Sequence, residues 1–142
     1  QLHTQGVVLE AMLLKPNMIL PGSACTTQDS VDVVAAPTLR CRRRASPVAV
    51  AGIAFLSGGR SGDLARARLA AMNDRALAPL PWRVAFSFGR AIQQPALTIW
   101  DGQDANVDRA QQALLRRSTA NRDARRGKDT PGAHPRRAEG RA

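Results

Sequence analysis

Three short apolar runs, each ending at a turn signal, constrain this chain more than any other feature. They are Gly6 to Leu14 (GVVLEAMLL), Val48 to Leu56 (VAVAGIAFL) and Val84 to Phe88 (VAFSF). The first stops at Lys15-Pro16-Asn17, the second at Ser57-Gly58-Gly59 and the third at Gly89-Arg90. Runs this short, with β-branched residues and no clear alternation, read as buried strands of a parallel sheet covered on both faces. The stretches between them have helical character. Ser30 is placed to cap a helix carrying Val31, Val34 and Leu39, although Pro37 falls inside it and costs a helix interior ~3 kcal/mol. Ser61 is placed to cap a second helix with Leu64, Leu69 and Met72 on one face. Arg90 to Trp100 reads as a third, interrupted by Pro95. Asp104 to Ala120 reads as a closing helix with Val107, Ala110, Leu114 and Leu115 on its apolar side.

Strand–helix repeated about three times is the pattern of β/α units on a parallel sheet. A closed (β/α)8 barrel needs roughly 250 residues, and this chain has 142. It is therefore either a small open sheet or the last part of a barrel. Residues 1–121 form the structured part on this reading. Residues 122–142 are polar and arginine-rich, and are expected to be a disordered basic tail.

Charge and cysteine usage narrow the function classes. The net charge is +10, with 19 arginines among 21 basic residues. The tail alone carries seven Lys/Arg against three Asp/Glu, and the rest is spread along the chain rather than gathered in a stripe. The densest cluster, Arg40-Cys-Arg-Arg-Arg44, has no interleaved aromatic residues on which bases would stack. A nucleic-acid-binding α/β fragment thus stands as the alternative, not the leading reading. Cys25 and Cys41 are too few for a disulfide framework or zinc site, and suit a reduced, cytoplasmic protein. His3 and His134 lack partners at metal-ligand spacing, so no metal and no cofactor is expected. No apolar run approaches the 18 residues that would span a bilayer.

In a parallel β/α array the C-terminal strand ends share one face, where ligands bind. Here those ends carry Lys15, then Ser57-Gly58-Gly59, then Gly89-Arg90. The glycines let backbone N–H groups converge on an anion, and a guanidinium suits a phosphate. Lys15 on its own is open to two readings. It is a strand-end lysine whose amine reaches water, or a partly desolvated amine with a lowered pKa, ready to attack a ketone.

The residues that decide between these are longer motifs. Leu9-Glu-Ala-Met-Leu-Leu-Lys-Pro-Asn-Met18 resembles the Schiff-base strand of class I fructose-bisphosphate aldolases, LEG-x-LLKPNM, and Pro21-Gly-Ser-Ala-Cys25 continues it. Phe55-Leu-Ser-Gly-Gly-Arg-Ser61 is similar to FLSGGQS, Pro81-Trp82 to the family's PW and Ser87-Phe-Gly-Arg90 to SYGR. The match runs in order from about Gln5 to Asn121. The resemblance implies the last about three β/α units of a (β/α)8 TIM barrel plus a C-terminal helix. It implies a glycolytic lyase that reversibly cleaves fructose 1,6-bisphosphate to dihydroxyacetone phosphate and glyceraldehyde 3-phosphate. Lys15 would form the Schiff base; Ser57, Gly58, Gly59, Ser87, Gly89 and Arg90 would hold the substrate phosphate. It also implies a homotetramer when the barrel is complete. Ala11, Arg60 and Phe88 depart from the motifs, Pro37 falls where the family has an unbroken helix, and the chain contains no tyrosine. The family's first five strands, which bring further acid/base residues, would lie outside this chain. The separate chain is then expected to be inactive, and a non-functional aldolase remnant is the remaining alternative.

Overall fold

A computed structural model describes residues 3–22, 24–27, 29–74 and 79–128. Three parallel strands form one sheet in the order β1 (Leu13–Leu14), β2 (Gly52–Phe55) and β3 (Arg83–Phe86). Leu13 pairs with Gly52, and Gly52 with Arg83; Phe55 pairs with Phe86. Helix α1 (Val31–Ala45) connects β1 to β2, and α2 (Gly62–Met72) connects β2 to β3. After β3 come α3 (Arg90–Trp100) and α4 (Val107–Arg125). Helix α1 packs on α2, α2 on α3 and α4, and α4 on α3 and β3.

The first apolar run is not the long strand expected. Only Leu13 and Leu14 pair; Leu9–Ala11 forms a 3-10 turn instead, and Val8 is 63% exposed. β1 has a neighbour on one side only, so little ladder energy rewards extending the residues before it. The other two strands are also shorter than their apolar runs.

Register explains a second difference. Successive side chains in a strand point to opposite faces. Leu14, Ile53 and Val84 share one face with Phe55 and Phe86. That face meets the helices: Ile53 is 1% and Phe55 0% exposed. Leu13, Ala54, Arg83 and Ala85 share the other face, where Leu13 is 67% exposed. The sheet is thus covered on one face and open on the other, not covered on both.

The helix caps follow the sequence. Ser30 Oγ accepts from the Val33 N–H and Ser61 Oγ from the Leu64 N–H, both at 3.4 Å. Pro37 does not stop α1, which runs through it. The carbonyl that loses its partner is that of Val33, an exposed residue, so the interruption costs less than in a buried turn. Helix α4 differs most from expectation. Leu114 and Leu115 are exposed, and Ala110, Ala113, Asn121 and Ala124 face inward. The helix continues to Arg125, past the boundary expected at residue 121, because Ala124 is wholly buried in the core cluster. The Asn121 side chain bonds the Arg117 carbonyl at 2.9 Å. Residues 129–142 of the expected tail lie outside the described residues.

Candidate active site at the strand ends

The segment that follows Lys15 is pinned at three points. The Leu56 N–H donates to the Pro16 carbonyl at 3.0 Å, carrying the β1–β2 ladder past the strands. Met18 is buried in the core. The Ile19 N–H donates to Thr38 Oγ1 at 2.9 Å, and that hydroxyl donates to the Val34 carbonyl at 2.6 Å. Thr38 has no exposed surface. A hydroxyl that both accepts and donates in a dry site is fully satisfied, so α1 holds the Lys15 strand end in place.

The next strand end joins it. The Ser87 N–H donates to the Phe55 carbonyl at 2.8 Å, which sets the Ser87–Arg90 turn beside Ser57–Gly59. Gly58 and Gly59 both take positive φ, +67° and +72°. A Cβ on Gly58 would sit 2.3 Å from Leu20 Cδ1 and 3.0 Å from Asn17 Oδ1. The glycine loop therefore leans directly on the segment after Lys15. We expect Gly58→Ala to cost about 1–2 kcal/mol, the penalty of a left-handed backbone for a residue with a Cβ. The clash with Leu20 adds to this, and a urea titration measures it. An unchanged midpoint would show that the loop relaxes freely.

These turns line a cleft of ≈ 1160 Å³. All six residues expected at the phosphate are on its wall: Ser57, Gly58, Gly59, Ser87, Gly89 and Arg90. Gly89 precedes α3 without any side-chain cap, and its carbonyl accepts from the Ile92 N–H at 3.0 Å; among the described residues the Arg90 and Ala91 amides have no capping side chain. Asn17, Arg60, Asp63 and Arg117 also line the cleft. Arg117 reaches across from α4 to both oxygens of Asp63 at the start of α2. That ion pair was not legible in the sequence, since its partners lie 54 residues apart. Asn17 was within reach of sequence reasoning, as it sits in the same motif as Lys15.

Lys15 is at the end of β1, two residues before Asn17, and is not itself on the cleft wall. Its side chain is exposed, contrary to the expected partial desolvation. It shares a sheet face with Leu13, on which Leu13 and Arg83 are exposed and Ala54 and Ala85 half-buried. Glu10, the acid nearest in sequence, is exposed in the 3-10 turn. Among the described residues no group of three or more His, Cys, Asp or Glu is placed to hold a metal. The Arg42–Arg44 run occupies the last turn of α1, where cations complement the helix dipole.

Comparison with known proteins agrees with the strand-end geometry. The sequence profile described as "Fructose-bisphosphate aldolase class-I" matches residues 1–141. A fructose-bisphosphate aldolase of Plasmodium falciparum (isolate K1 / Thailand) is 44% identical over 132 residues, 93% of this chain and 36% of the relative. "Fructose-bisphosphate aldolase 4, cytosolic" of Arabidopsis thaliana is 45% identical over 126 residues, 89% of this chain and 32% of the relative. A solved Plasmodium falciparum aldolase, crystallised with TRAP and a small-molecule inhibitor, superposes with a TM-score of 0.83 at 44% identity. It covers 89% of this chain and 36% of its own. The chain spans about a third of the length of the curated relatives it matches. A match over nearly every residue, in sequence and in backbone, places this chain in the class I fructose-bisphosphate aldolase family.

Proposed function

We propose that the three β/α units are the last section of a (β/α)8 barrel whose complete form cleaves fructose 1,6-bisphosphate through a Schiff base on Lys15. The observation that carries this reading is the single cleft lined by Ser57, Gly58, Gly59, Ser87, Gly89 and Arg90, beside the strand that ends in Lys15. A sheet covered on one face and open on the other is what a barrel section requires, because its inner face is completed by the remaining strands. Lys15 lies on that open face, so the missing strands are what would desolvate it.

The chemistry follows from the amine. The neutral Lys15 amine attacks the ketose C2, water leaves, and an iminium forms. The C3–C4 bonding pair then flows into the iminium and leaves an enamine, while the hydroxyl proton on C4 passes to a base. Glyceraldehyde 3-phosphate departs, protonation of the enamine at C3 regenerates the iminium, and water releases dihydroxyacetone phosphate. Arg90, the glycine amides and the two serines hold the phosphate on the C1 side and fix C2 against the amine. Glu10 is not assigned the proton transfer, and the chain by itself is expected not to turn over. The completed protein is proposed to be a cytoplasmic homotetramer; among the described residues no helix is long and apolar enough to cross a membrane.

The test is covalent. The chain complemented with the N-terminal two-thirds of a related aldolase is treated with dihydroxyacetone phosphate and borohydride, then digested. A stable adduct is expected on the Lys15 peptide and none on Lys128, the only other lysine of this chain. Equal labelling of the two, or an adduct on Lys128 alone, would refute the assignment.

A further inference from the structure

We propose that Arg60 is a second phosphate-binding cation of this cleft, acting together with Arg90. The inference rests on the phosphate-site reading above and adds a residue to it. Arg60 is the position at which this chain departs from the FLSGGQS motif.

Arg60 lines the same cleft as Ser57, Gly59 and Arg90. Its N–H donates to the Ser57 carbonyl, closing the glycine turn, so its side chain leaves from the loop that would cradle the anion. Its Nε is buried and, among the described residues, has no hydrogen-bond partner. A guanidinium whose buried N–H finds no acceptor is not anchored by the fold, and an oxyanion in the cleft would supply acceptors to its terminal N–H groups.

The charges around the cleft point the same way. Its wall carries three arginines, Arg60, Arg90 and Arg117, and one acid, Asp63. Asp63 is already held by Arg117. Among the described residues neither Arg60 nor Arg90 has a carboxylate partner, which leaves two guanidiniums and no counter-charge. Behind the loop lies a further cation. Arg68 is on α2, whose first residue follows Arg60 by two, and has no exposed surface. Side chains on a helix tilt toward its N-terminus, which brings the Arg68 guanidinium back toward Arg60. Burial first, and then the Arg60 charge, push the Arg68 guanidinium below its usual range. The two cations are therefore close enough to repel, and the open side for Arg60 is the cleft. A dianionic phosphate there would relieve that repulsion.

The experiment uses the 142-residue chain, titrated with dihydroxyacetone phosphate and, separately, inorganic phosphate, with the amide resonances of Gly58, Gly59 and Gly89 as reporters. Arg60→Gln is expected to weaken binding of both roughly ten- to a hundredfold, as loss of a charge-assisted hydrogen bond does. Arg90→Ala should weaken it comparably. Should Arg60→Gln lose its helical circular dichroism, Arg60→Lys decides by the same titration. A several-fold weakening supports the assignment, since a point charge lacks the fork of a guanidinium, and unchanged affinity overturns it. Undiminished binding by a folded Arg60→Gln chain, with Arg90→Ala still weakened, overturns the Arg60 assignment and leaves the phosphate site standing. Absence of phosphate binding by the unsubstituted chain overturns both.

Discussion

With Lys15 changed to arginine, borohydride and dihydroxyacetone phosphate are expected to leave no adduct on the complemented barrel, and cleavage should fall below detection. Arginine keeps the positive charge and most of the length. Its guanidinium stays protonated at any working pH, so it offers no free electron pair to a ketone. Phosphate binding depends on other residues and should survive nearly unchanged. Arg90→Ala gives the opposite signature. It removes a charged hydrogen bond worth ~1.5–3 kcal/mol, which weakens substrate binding roughly ten- to a hundredfold but leaves the amine able to react. Trapping at high substrate concentration should then still mark Lys15. The pair separates covalent chemistry from binding. Trapping that persists in Lys15→Arg would place the nucleophile on another residue and sink the assignment.

The contrast between these two residues also shows what the sequence could convey. The two strand-end loops proposed to hold phosphate were legible because their requirements are local. A strand end, two glycines that tolerate positive φ and an arginine at a helix start can all be read within a few residues. Gly58, Gly59, Gly89 and Arg90 accordingly lie on one cleft wall. The helix starts at Ser30 and Ser61 were legible for the same reason, since a cap is a contact across three residues.

Features that depend on distant partners were not. The desolvation expected at Lys15 needs neighbours on both sides of β1, and its apolar run could not show that one side is open. The full strand expected from Gly6 failed on the same ground, for apolar residues extend only where a ladder exists to satisfy their backbone. In α4 the leucines promised an inward face, yet Ala110, Ala113 and Ala124 take it. Close packing of α4 on α2 and α3 favours small side chains there, and Leu115 is left 67% exposed. Pro37 misled in the other direction. Its cost inside a helix is real, but a solvent-side turn absorbs part of it and tertiary packing of Val34, Ala35 and Leu39 outweighs the remainder.

Arg68 supplies the second large effect, this time on stability: Arg68→Met in the complemented barrel is expected to gain about 1–4 kcal/mol, the range found when buried charges give way to apolar side chains. The arginine is fully buried, and among the described residues its Nε and Nη1 have no acceptor. Its side-chain hydrogen bond among the described residues, from Nη2 to the Asp29 carbonyl, is long at 3.3 Å. The Asp29 carboxylate favours the charge less than burial and Arg60 oppose it. Methionine is unbranched and flexible enough to fill most of the same channel without any polar atom to satisfy. The pH dependence has a definite sign. Because burial and the Arg60 charge hold the folded-state pKa below the ordinary arginine value, the unfolded chain binds the proton more tightly, and folding with the charge in place is penalised. That penalty is fully present at neutral pH and is relieved only as pH rises through the lowered value. The difference between Arg68→Met and the parent should therefore stay constant across neutral pH and shrink only in strong alkali. Urea denaturation followed by the fluorescence of buried Trp82 reads the midpoints, with Arg68→Ala as the control that removes the charge but leaves a cavity, and so gains less. A lower midpoint for Arg68→Met would mean that the guanidinium is held by stronger bonds than the one to Asp29, and the idea of an uncompensated buried cation would fall.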